Sequence, residues 1–267
     1  MSQSPAQTAV QKARWNDRNS DRGQVSIVMI LSALVVVTFA TTLLVFAEAG
    51  DTKFSARKAS DAASLAAAKE ARGAWLHMWL LAMGQAAVPA PPPESVLPEL
   101  QASDMDTMTP KEINDYNHKR EKQLEALKNF KGAIINNAPS LDPLWTAAAE
   151  AGRGSAYAYA HKNDQNIVSQ YFPGNDHSIS VTVDRSRQTE TSPGKRFIKN
   201  LHAKESATAA VITPAGFVCT PLPGSWKKWT LLCTSAKGSA KAHYSGNILL
   251  DWDKKAFERM FKVKLVK

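Results

Sequence analysis

The chain has 267 residues, enough for one or two domains; 44% of them are apolar and 21% charged, the balance of a folding protein and not a disordered one. With 33 Lys and Arg against 24 Asp and Glu, the net charge of +9 points to anionic partners: phospholipid, an anionic envelope polymer or nucleic acid. Two cysteines exclude a disulfide-dense scaffold and a four-cysteine zinc site.

Residues 1–24 form a short basic tail with Lys12, Arg14, Arg18 and Arg22. From Val25 to Ala47 the sequence holds no charge, no Pro and no Gly. At about 1.5 Å per residue, a helix of this length spans roughly 35 Å, more than the bilayer core of about 30 Å. Its few hydroxyls (Ser26, Ser32, Thr38, Thr41 and Thr42) are tolerated in lipid, because in a helix each can bond the carbonyl one turn back. The run is longer than a signal-peptide core, although Ala47 and Ala49 form a small-residue triplet that fits signal cleavage as the alternative. The basic tail predicts a single-pass cell-membrane protein with a cytoplasmic N-terminus and an extracytoplasmic remainder. Lys53, Arg57 and Lys58 on the far side oppose this orientation, but the first short segment usually dominates it.

Residues 48–87 are rich in Ala, Leu, Lys, Glu and Arg and extend the same helix beyond the membrane. Ala56, Ala59, Ala62, Ala63, Ala66 and Ala67 make a small-residue face on which another helix can approach closely. Two readings of this face stay open: the helix lies on its own domain, or Ala59, Ala62, Ala63 and Ala66 pack helices of other subunits.

Residues 88–102 are a Pro-rich, semi-rigid spacer, and 103–267 form an extracytoplasmic α+β domain. Thr109-Pro110-Lys111-Glu112 starts an amphipathic helix with Ile113, Tyr116, Leu124, Leu127, Phe130 and Ile134 on one face, ending near Asn136 to Pro139. Leu144 to His161 reads as a second helix, with a break at Gly152-Arg153-Gly154. Alternation and β-branching then give strands from Ile179 and from Ala207, the latter ended by Pro214, with a turn at Ser192-Pro193-Gly194 between them. Further strands are expected over Trp226 to Cys233 and Ala242 to Trp252, and a short turn and last strand from Phe257. The fold class is therefore α+β: one long N-terminal transmembrane helix continuing outside the membrane, a helical middle and a small β-containing C-terminal region.

Cys219 and Cys233 bracket a loop with Pro221, Pro223 and Gly224, and in an exported domain they are expected to be oxidised; two free thiols are the alternative. The six histidines show no H-E-x-x-H and no i, i+4 pair, so no metal site and no cofactor are expected. S-x-x-K occurs three times, at Ser55, Ser192 and Ser225, without partner motifs, and Gly152-Arg153-Gly154 is half a dinucleotide fingerprint without its strand. Trp226-Lys227-Lys228-Trp229 interleaves aromatic and basic residues; it fits a hairpin with one buried face better than a base-stacking platform. No enzyme is expected.

Asp21-Arg22-Gly23-Gln24, the apolar run, and Asp61-Ala62-Ala63-Ser64-Leu65-Ala66-Ala67-Ala68 together resemble the TadE/TadG-like proteins of Tad (Flp-type) pilus assembly systems. Ala209 to Pro214 and Phe261 to Leu265 are similar to actinobacterial members of that family. The resemblance implies a non-catalytic, membrane-anchored, pilin-like accessory subunit that meets other pilus or secretion subunits through its N-terminal helix. No nucleic-acid partner is expected. Prepilin-like relatives are cut after a Gly and carry Glu at the fifth mature position. Gly23 fits that cleavage before Gln24, but the fifth residue is Val28, which favours a permanently anchored subunit. The alternative function is an anchored binding module for anionic envelope polymer or lipid, using Lys254, Lys255, Arg259, Lys262, Lys264 and Lys267.

Overall fold

In the computed structural model, the described residues are 5–90, 93, 97–163, 166–188, 200–224 and 228–266, with side chains described from residue 26 onward except that of residue 102. One helix dominates: α1 runs 81 residues from Pro5 to Gln85 without interruption. It then unwinds through turns into Pro89, a residue that disfavours helix at the position before it. The short helix α2 (Ala102–Met105) precedes α3 (Pro110–Asn136), α4 (Trp145–Lys162), strands β1 to β7, helix α5 (Lys254–Met260) and a last strand β8 (Lys262–Val266). The fold is α+β, as the sequence predicts.

The chain divides into two units, the first made of residues 1–54 and 185–203, the second of 55–184 and 204–267. In the first unit, α1 carries its apolar run with the side chains bare: Ile27, Leu34, Val35, Phe39 and Phe46 are each 60% or more exposed. The hydroxyls of Ser32, Thr38, Thr41 and Thr42 are satisfied within the helix. Ser32 donates to the Met29 carbonyl at 2.9 Å, Thr38 to Leu34 at 2.7 Å and Thr42 to Thr38 at 2.8 Å. Beyond the run, Asp51 accepts a bond from Arg187 Nη1 at 2.9 Å.

In the second unit the composition of α1 switches to Ala and Ser, and the helix becomes a spine. Ala56, Ala59, Ala63, Ala67, Ala71, Trp75 and Leu80 step at three to five residues and are fully buried. Helix α4 crosses them through its own small face, Ala148, Ala149, Gly152, Ala156 and Ala160. The expected break at Gly152–Gly154 does not occur. Gly152 is a packing residue: a Cβ there would lie 2.4 Å from the Ala67 carbonyl oxygen. Helix α3 begins as predicted, with Thr109 and Glu112 in a reciprocal capping box. The bonds from Thr109 hold the Glu112 carboxyl below the usual carboxylate range.

Two four-stranded sheets follow, both antiparallel in their described pairings. The first has the order β1 (Ile167–Pro173), β2 (Ser178–Gln188), β3 (Asn200–Ile212), β8. The second has the order β4 (Val218–Pro223), β5 (Lys228–Ser235), β6 (Gly238–Ser245), β7 (Ile248–Trp252). Strands β1 and β4 were not expected. The burial of β1 does not alternate, and β4 holds Pro221 and Pro223, which an edge strand tolerates. The single strand expected over Ala242 to Trp252 is two, folded at Gly246-Asn247, where Gly246 has φ 58°. The expected turn at Ser192–Gly194 lies outside the described residues.

The core of this unit is aromatic, and its polar edges are satisfied by backbone. Trp75 Nε1 donates to Leu141 O at 2.7 Å, Trp79 to Pro139 O at 3.1 Å, Trp145 to Gly174 O at 2.8 Å and Trp229 to Gly246 O at 2.7 Å. Trp75 also meets Trp145 and Phe261 edge-on at 5.6 and 5.8 Å, geometries that add about 0.5–1.5 kcal/mol per pair beyond area burial. Each indole thus fills the core and pins a loop at once.

Candidate functional site

The residues singled out in the sequence fall on three separate features. Gly23 and Gln24 lie within α1, where the backbone is helical; their side chains are outside those described. The apolar run that follows belongs to the one helix, among the described residues, that is long and apolar enough to cross a membrane. No part of its most apolar window is buried by the chain itself, unlike a soluble core helix of equal hydropathy.

The small-residue face lies further along the same helix. Ala59 and Ala63 have no exposed surface, while Ala62 and Ala66 sit beside them half-buried. Ser60 and Ser64 are buried in the same stripe, and each returns its hydroxyl to the carbonyl three residues back. These positions are covered by elements of the same chain. The close approach of α4 at Gly152 over Ala67 shows why the stripe is small: any larger residue would separate the two backbones.

Cys219 and Cys233 stand opposite one another in the β4–β5 ladder and are joined by a disulfide. Cys233 is fully buried, so the bridge ties the edge strand to the core. Trp229, the end of the aromatic–basic motif, is 1% exposed and stacks on Tyr244 with ring centroids 4.0 Å apart. It has no free face for a base or sugar. Trp226 and Lys227 lie outside the described residues. Among the described residues no three His, Cys, Asp or Glu side chains gather as metal ligands.

The basic C-terminal residues are placed by α5 and β8. Lys254, Lys255, Arg259, Lys262 and Lys264 are exposed, and Lys267 lies outside the described residues. What orients α5 is a residue the sequence reading did not single out. Arg72 of α1 donates from Nη1 to the carbonyls of Glu258 and Phe261, both at 3.0 Å, and its Nη2 lies 3.3 Å from Glu258 Oε2. These carbonyls close the last turn of α5 and its C-cap, where unpaired oxygens carry the negative end of the helix dipole. Burial pulls the guanidinium below its ordinary value, and Glu258 pushes it back up. Nothing in the spacing of Arg72 signals this role; it emerges only when α5 folds back on α1.

Comparison with known proteins gives no further guide: no family model, no curated protein and no solved structure matches the chain.

Proposed function

We propose that the chain is a non-catalytic, membrane-anchored, pilin-like accessory subunit of a Tad/Flp-type pilus assembly or secretion system. Its N-terminus is cytoplasmic and its disulfide-bonded part extracytoplasmic. The observation that carries this reading is the division of labour along α1. One stretch presents an uninterrupted apolar surface that the chain leaves bare, and the next is the buried spine of a folded unit. A bare apolar helix needs lipid or like helices around it, and the folded unit that follows in the chain is then displayed by it. The disulfide supports export, because such bridges persist in oxidising compartments. The Arg22-Gly23 junction and the Asp61 to Ala68 stretch supply the family resemblance.

The test is the intact mass of the protein extracted from native membranes, with and without reductant, combined with protease accessibility in sealed cells. A full-length mass with the folded part cleavable from outside is expected. A chain beginning at Gln24 would instead indicate prepilin-type processing and filament entry. A chain beginning after Ala49 would overturn the anchor. Photo-crosslinkers at Leu34 and Phe39 should capture other membrane subunits of the same system; capture of lipid alone would sink the assembly role.

A further inference from the structure

Six cationic side chains of the second unit come together at one place. Lys69 and Arg72 of α1, Lys237 of the β5–β6 turn, Arg259 of α5 and Lys262 of β8 line a recess of about 650 Å³. A neighbouring recess of about 480 Å³ is lined by Arg72, Lys255, Glu258 and Arg259. Because Arg72, Glu258 and Arg259 border both, the two form one trough. It holds six cations against one carboxylate, so five of the chain's nine net positive charges sit around it.

The single acid is already engaged. Glu258 faces Arg72 at 3.3 Å, and Arg72 spends its remaining reach on the α5 carbonyls. No salt bridge to Lys69, Lys237, Lys255, Arg259 or Lys262 is present among the described residues. Four of these five are lysines, mobile point charges, and the fifth is an arginine whose planar fork suits a tetrahedral oxyanion. Val263 is the one aliphatic residue on the wall of the larger recess; the other residues lining it are charged, their aliphatic stems adding apolar surface beneath the charged ends.

We propose that this trough binds a linear phosphate-bearing polyanion, such as a phosphodiester envelope polymer, laid along it so that successive phosphates meet Lys255 and Arg259 at one end and Lys237 and Lys262 at the other. Two joined recesses favour an extended chain over a single phosphate. Arg72 is a positioning residue: it holds α5 at the angle that turns Lys255 and Arg259 inward. The inference does not depend on the assembly role.

The test uses the full chain in nanodiscs of zwitterionic lipid, with short inorganic polyphosphate as the probe and inorganic monophosphate as competitor. Binding is followed by calorimetry over a salt series. Polyphosphate should bind, with log K falling against log salt at a slope of about −3 to −4 for some five contacts. The K255Q/R259Q/K262Q variant should lose about tenfold or more in affinity at low salt and flatten that slope by about two units. A control variant, K111Q/K119Q/K122Q on the exposed face of α3, should bind as the parent does. Equal losses in the two variants would reduce the effect to net charge and overturn the site. Competition by monophosphate at equal phosphate concentration would overturn the extended ligand. Absence of polyphosphate binding to the zwitterionic discs would overturn the proposal, and binding that is abolished when anionic lipid is put in the disc would assign the charges to the membrane instead.

Discussion

The crossing of α1 and α4 makes a prediction whose sign depends on geometry alone. Replacing Gly by Ala inside a helix ordinarily stabilises by about 0.8–1 kcal/mol. At Gly152 the new Cβ would lie 2.4 Å from the Ala67 carbonyl oxygen, 3.0 Å from its carbon and 3.1 Å from Cα. A relaxed carbon–oxygen contact is about 3.3–3.6 Å, so the two backbones must part by about 1 Å. No flexible side chain is available to give way. Overpacking of this kind costs about 1–3 kcal/mol, and the rigid obstacle places it near the upper end. After the propensity gain, Gly152→Ala should destabilise by about 2 kcal/mol. For a folded unit of this size that lowers Tm by about 4–8 °C. Gly154 on the same helix has nothing within 4 Å of its Cβ position, so Gly154→Ala should raise stability by about 0.5–1 kcal/mol. The assay is thermal and urea unfolding of the full chain in detergent, read by tryptophan fluorescence, since Trp75 and Trp145 report on this core. If Gly152→Ala proves as stable as Gly154→Ala, α1 and α4 do not cross at Ala67 and the reasoning fails.

Three further outcomes follow from the contacts. Arg72→Met keeps the stem but leaves the Glu258 and Phe261 carbonyls without their charged donor; it should cost about 2–3 kcal/mol in urea unfolding and loosen α5, seen as faster amide exchange in Ala256 to Phe261. Cys219→Ser with Cys233→Ser should cost about 3 kcal/mol in the loop-closure view, given a sequence separation of 14 between the cysteines; an unchanged urea midpoint would show the bridge to be inert. Stability should fall on the alkaline side. Burial pushes the Tyr171 hydroxyl up to about 12, with Glu150 adding and Arg153 opposing, and burial raises Tyr244 as well. The unfolded chain releases these protons near pH ~10, so the stabilisation is whole below that and is lost as pH rises through the folded value. Tyr171→Phe and Tyr244→Phe should each flatten that decline in a pH series of urea midpoints, and a decline identical to the parent's would refute the assignment.

The parts legible in the sequence were those whose signal is local. The run from Val25 to Ala47 announces a long apolar helix by composition, and Thr109 to Glu112 announces a helix start by capping chemistry. The pair Cys219 and Cys233 was legible through spacing and expected compartment. What stayed hidden depends on partners distant in sequence. Gly152 looks like a breaker until Ala67 is seen lying against it. Residues 167–173 lack an alternating pattern because β1 is an edge strand with most side chains outward. Residues 242–252 read as one β-rich run because a two-residue Gly246-Asn247 turn leaves little composition change to detect. The trough was visible only by half: Lys255, Arg259 and Lys262 are clustered in sequence, whereas Lys69, Arg72 and Lys237 join them through the packing of α1, the β5–β6 turn and α5.

The same helix is left bare along one stretch and buried along the next, and this limits which stretch could pack against another helix. In the second unit the Ala–Ser stripe is covered by the chain itself, at Ala67 by Gly152 of α4: Ala59, Ala63 and Ala67 have no surface left to offer. The apolar run keeps its surface, with Val35, Phe39 and Phe46 each more than 60% exposed, but it lacks the Gly or Ala spacing that lets membrane helices approach most closely. Thr38, Thr41 and Thr42 are the polar groups at hand there, and each already bonds a carbonyl of its own helix. A partner helix would then be held by packing of branched aliphatic and aromatic side chains and not by hydrogen bonds. Thr38→Val and Thr42→Val should accordingly leave subunit crosslinking from Phe39 unchanged, whereas Phe39→Ala, which removes a large exposed knob, should weaken it. Loss of crosslinking in the threonine variants would place interhelical hydrogen bonds in the assembly and refute the packing account.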